Sequence, residues 1–125
     1  MTGEYHFPIE VERGIELINR GEFFRAHEVL ESAWLQENGK VRQLIQGLVQ
    51  VSVMLYHLER DNPIGANKLV YKALENIIPF KDTPSKLDIP LLIDDLTSMA
   101  ARFQTLSKGE PLKIPVHPIR LYLRH

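Results

Sequence analysis

The sequence predicts an all-α fold, a compact bundle of about five helices built from antiparallel helical hairpins. Three observations predict it. Apolar residues recur at three- and four-residue spacing in five separate segments. Proline, glycine and asparagine fall between those segments, where helices begin and end. No alternating strand pattern with hairpin turns competes with them.

The first helix is expected from about Pro8 to Arg20. Pro8 suits a first turn, Val11, Ile15 and Ile18 give the stripe, and Gly21 is a C-terminal stop. The second is expected from about Glu22 to Glu37, ending at the turn signal Asn38-Gly39. The third runs from about Lys40 to Arg60. Asn62-Pro63 then reads as an N-cap followed by a first-turn proline, opening the fourth. Ala66, Leu69, Val70, Ala73, Leu74 and Ile77 are its stripe, and Pro79 ends it. The polar stretch Lys81 to Leu87 reads as a loop. Pro90 opens the fifth helix, with Leu92, Leu96, Met99, Phe103 and Leu106 on one side. Residues 110–125 contain three prolines and six large aliphatic residues, so an extended tail packed on the body is expected.

The 125 residues suit one domain, 1–125. The hydrophobic share of 44% and charged share of 25% are those of a globular chain. A net charge of −1 gives no broad positive field for a polyanion, and Arg120 and Arg124 are too small a cluster, so nucleic acid is not expected. There is no cysteine, which removes disulfides and thiolate metal sites. The start, MTGEYHFPIE, lacks a basic n-region and an apolar h-region, so no signal peptide is read there. No apolar run is long enough to span a bilayer. A cytoplasmic, membrane-free protein is the expectation.

Some polar residues do not fit a plain core. On a wheel of about 100° per residue, Phe23, Phe24, His27, Leu30, Glu31 and Trp34 cluster around His27. Glu28 falls on the opposite side. In the third helix, Leu44, Leu48, Val51 and Leu55 form one apolar face. The face opposite mixes Gln43, Gln46, Gln50 and His57 with Gly47, Val53 and Met54. A helix this apolar all round should be central. Letting the two polar stripes face each other predicts one contiguous buried cluster of His27, Glu31, Gln46, Gln50 and His57, satisfied internally.

The ordered stretch G21-E22-F23-F24, A26-H27-E28-V29-L30-E31 and W34 continues with R42, Q46-G47-L48, Q50, Y56-H57, N62 and G65-A66. It resembles the prokaryotic family known as domain of unknown function 309, over about residues 14 to 80. The resemblance implies a compact all-helical bundle and no particular activity. The motif residues carried over are His27, Glu28, Glu31, Trp34, Arg42, Gln46, Gln50 and His57.

Several readings of these residues compete. His27, Glu31, Trp34, Arg42, Gln46, Gln50 and His57 form either a structural hydrogen-bond network or a pocket. As a pocket, His27 with Glu31 would be a general base and its orienter activating water. No nucleophile accompanies them. A metal site is not expected: H-E-V-L-E lacks the second histidine of H-E-x-x-H, and the Glu-x-x-His pairs of di-iron bundles are missing. No cofactor is expected. Arg42 is expected to pair with Glu31 or Glu37, or else to hold an anion. His6, His117 and His125 read as surface or tail residues. The leading functional reading is an interaction or scaffold protein whose partner is another protein or a second copy. A ligand-binding protein or water-activating hydrolase is the alternative.

Overall fold

A computed structural model describes residues 6–105 and 121–123. Five α-helices follow one another: α1 Ile9–Asn19, α2 Phe23–Gln36, α3 Val41–Glu59, α4 Pro63–Ile77 and α5 Ile89–Phe103. A short 3₁₀ turn, Ile78–Phe80, extends α4 where Pro79 stops the α-helical pattern. The fold is all-α, and every helix expected from the sequence is present within a few residues. Gly21 turns α1 into α2 with φ 81°, a left-handed value that costs glycine nothing. Asn62 caps α4 by accepting the Gly65 N–H at 3.1 Å. Asp88 caps α5 by accepting the Leu91 N–H at 3.2 Å.

Each helix packs on the next in chain order, and α3 lies between α2 and α4. That central place explains its composition. Leu44, Ile45, Leu48, Val51, Met54 and Leu55 are buried, and so is Ser52, which donates to the Val49 carbonyl at 2.6 Å. The core continues through Val11, Ile15 and Ile18 of α1, Leu30 of α2, Val70 and Ile77 of α4, and Leu96 and Phe103 of α5.

Gln43 and Gln50, on the polar side of α3, meet α4, not α2 as expected from the sequence. Asn76 of α4 donates to Gln50 at 2.8 Å and accepts from Gln43 at 3.5 Å. Gly47 lies so close to α4 that an added Cβ would stand 2.5 Å from Ile77 Cγ1. The reason is geometric. The mixed side of α3 carries its one glycine, and two helices approach most closely where a side chain is missing. That side therefore takes the tighter of the two packings.

Of the tail expected at 110–125, residues 110–120 and 124–125 lie outside the described residues. Leu121 is 2% exposed, and Leu87 pairs with Leu123 in an isolated antiparallel bridge. Among the described residues no helix is long and apolar enough to cross a membrane.

Candidate functional site

The seven residues singled out in the sequence do not form one buried cluster. Each is half-buried, on the surface formed by α2, α3 and the start of α4. His27 Nε2 contacts Glu31 Oε2 at 2.8 Å within α2, and the Glu31 side chain is 46% exposed. Water therefore solvates that carboxylate, and burial does not drive the pair together. Gln50 is tied to α4. His57 is tied to the α3–α4 turn, where Asn62 Nδ2 lies 3.2 Å from His57 Nδ1. The Asn62 side-chain Oδ1 accepts the Gly65 N–H, and its amide nitrogen, facing His57, can only donate. His57 Nδ1 is then the acceptor, which leaves the ring proton on Nε2.

Arg42 pairs with neither Glu31 nor Glu37. Its guanidinium stacks 4.0 Å from the centre of the Trp34 ring, and Nε donates to the Trp34 carbonyl at 3.1 Å. The indole face attracts the cation. The same carbonyl also accepts the Glu37 N–H at 3.4 Å, the capping bond of α2. Together these contacts fix the α2–α3 turn.

The residues that connect α2 to α3 on this surface are aromatic. Phe24 is central: its ring centre lies 6.2 Å from that of His27 and 5.7 Å from that of Tyr56. Tyr56 in turn lies 6.4 Å from His57, and the Arg60 guanidinium sits 5.5 Å from the Tyr56 centre. His27 and His57 are thus linked through Phe24 and Tyr56. Phe24 remains 54% exposed. Antiparallel packing places the Arg42–Trp34 stack at the opposite end of the same helix pair. Half-buried Val49 and Val53 lie between along α3. The result is an open ledge with an aromatic end, an aliphatic middle and a cation at each end.

The sequence places Phe24 beside His27, Val53 on the mixed face of the third helix and Tyr56 within the family motif, but the expectations drawn from it do not join them to Val49 and Arg60 on one surface. A signal existed. Arg42, Gln46, Val49, Val53, Tyr56 and Arg60 recur at three- and four-residue spacing, a second helical stripe beside the core stripe.

A shallow cleft of about 320 Å³ lies on the α1–α2 side, lined by Glu10, Arg13, Arg25, Glu28, Val29 and Ser32. It includes none of the seven residues. Among the described residues no group of three or more His, Asp or Glu side chains is arranged to hold a metal ion.

Residues 11–69, from α1 into α4, match the family model described as "Domain of unknown function (DUF309)". That span contains the whole α2–α3 ledge. An uncharacterized protein of Aquifex aeolicus (strain VF5) is 35% identical over 57 residues, which are 45% of this chain and 17% of that protein. The uncharacterized protein YpuF of Bacillus subtilis (strain 168) is 27% identical over 104 residues, which are 80% of this chain and 59% of YpuF. The chain thus spans less than two thirds of the length of either relative. No solved structure matches it significantly. The resemblance to domain of unknown function 309 holds over residues 11–69, the helices that build the ledge.

Proposed function

We propose that this chain is a non-enzymatic interaction protein of the cytoplasm, and that its α2–α3 ledge docks an amphipathic helix of a partner protein. The observation that carries this reading is Phe24, ring-packed against His27 and Tyr56 yet more than half exposed. Aromatic residues with arginine beside them are the side chains that dominate binding energy at protein interfaces. A groove between two helices receives the apolar stripe of a third at i, i+3, i+4 and i+7 spacing. Arg60 beside Tyr56 favours a carboxylate on the flank of that helix. The Aquifex relative supports the reading, since the matching segment is a small part of a longer chain. Display selection of helical peptides against the full chain tests it. The enriched sequences should carry an apolar stripe with an acidic flank. They should lose binding to Phe24→Ala and Arg60→Glu but not to Leu91→Ser on α5. No enrichment, or binders indifferent to both ledge substitutions, would refute it.

The 2.8 Å contact between His27 and Glu31 favours a second reading, a ligand-binding site that uses this pair. It is the weaker one. Ligand and catalytic sites are concave and exclude water, whereas Glu31 stands open to solvent.

A further inference from the structure

The C-terminal end of α1 and the start of α5 form a slot that holds residues 121–123. Asn19 is its reader. Its Nδ2 donates to the Leu121 carbonyl at 2.7 Å, and its Oδ1 accepts the Leu121 N–H at 2.8 Å. One amide side chain thus satisfies both main-chain groups of a residue 102 positions away, as a neighbouring strand would. On the other side of the slot, the Asp88 N–H donates to the Tyr122 carbonyl at 2.9 Å, beside the Leu87–Leu123 bridge. Ser85 Oγ donates to the Leu87 carbonyl at 3.0 Å and steadies that wall. Side chains alternate as in a strand: Leu121 is buried, Tyr122 is 49% exposed, and Leu123 packs partly on the core.

We propose that this slot is a peptide-binding site that recognises an extended segment through its main chain, with a leucine as anchor, and that residues 121–123 are its resident ligand. These three hydrogen bonds, from Asn19 and the Asp88 N–H, are all made to the backbone of the described segment, so they read extended conformation, and the buried Leu121 supplies the apolar anchor. Without an occupant, the Asn19 amide and the Asp88 N–H would lose these partners. Main-chain pairing plus a pocket for alternate side chains is the logic of strand addition. The resident segment therefore occupies the site in cis, and it ties α1, the first helix of the row, to the start of α5, the last.

The test uses the full chain carrying Leu121→Asp, which removes the anchor and frees the slot. A fluorescent peptide of residues 119–125, Ile-Arg-Leu-Tyr-Leu-Arg-His, is titrated into it by anisotropy. Saturable binding is expected to Leu121→Asp and none to the unsubstituted chain over the same range. Adding Asn19→Ala should weaken binding ten-fold or more. Asn19→Asp should do the same, since a carboxylate cannot donate to the Leu121 carbonyl. Equal binding to the unsubstituted chain, no binding to folded Leu121→Asp, or indifference to both Asn19 substitutions would overturn the proposal. If Leu121→Asp does not fold, hydrogen exchange of full-length Asn19→Ala decides. The Leu121 and Asp88 amides should exchange at least ten-fold faster while those of α3 are unchanged; unchanged protection at both would overturn it.

Discussion

Gln50 on α3 accepts a 2.8 Å hydrogen bond from Asn76 on α4, on the side of the central helix where Gly47 lets α4 approach closely. Gln43 donates to the same Asn76 side chain at 3.5 Å. Three amides from two helices thus share one seam beside Gly47. Asn76→Ala removes the middle member and leaves Gln50 and Gln43 without it. A loss of about 1 kcal/mol is expected, the usual net worth of a hydrogen bond in a partly solvated place. The urea midpoint measures it, and helical content by circular dichroism should not change.

Glu31 tests a different point. A carboxylate sealed in a core would cost several kcal/mol when its partner is removed, but this one is 46% exposed beside a 29% exposed His27. Exposed ion pairs are worth about 0.2–1 kcal/mol. Glu31→Ala is therefore expected to lower stability by less than about 1 kcal/mol, close to the effect of Glu28→Ala at an exposed position on the α1–α2 side. Raising the salt concentration should shrink what difference remains. Chemical denaturation of the two variants side by side gives the answer.

These two cases show what was legible in the sequence and what was not. Helix boundaries could be read because they are set locally: Asn62 and Asp88 cap their own helices, and Gly21 turns the chain where it stands. The centrality of α3 could be read from its nearly continuous apolar surface. Which stripe of α3 meets which neighbour could not, because a wheel gives relative angles and says nothing of where the neighbours lie. The polar stripes of α2 and α3 fitted each other on paper. Close approach at Gly47 instead gave that side of α3 to α4. The burial of His27 and Glu31 was overestimated for a related reason. Phe24 shares their side of the wheel with apolar residues, yet it is 54% exposed, so the face it marks is open.

Asp95 provides a pH-dependent check on the packing of α5. Burial, and then the neighbouring charge of Asp94, push its carboxyl above the ordinary 3.8. A carboxyl whose pKa is higher folded than unfolded binds its proton more readily in the fold. Its ionised form therefore opposes folding at neutral pH, and the opposition is relieved as the pH falls through the folded value. Asp95→Asn removes that charge. The variant should melt at a higher temperature than the unsubstituted chain at neutral pH, and the gap should narrow as the pH falls toward 3.8. A gap that stays constant with pH would assign the gain to something other than charge. Thermal melts across the acid range measure it.

The docking ledge makes the most direct demand of all. A uniformly labelled full chain, titrated with a helical peptide obtained by display selection, reports contact residue by residue through its amide chemical shifts. The account predicts the largest changes along Phe24 to Glu31 of α2 and Val53 to Arg60 of α3, with Phe24→Ala abolishing them. Changes centred instead on the α1–α2 cleft of Glu10, Arg13, Arg25 and Glu28, or on α5, would contradict it.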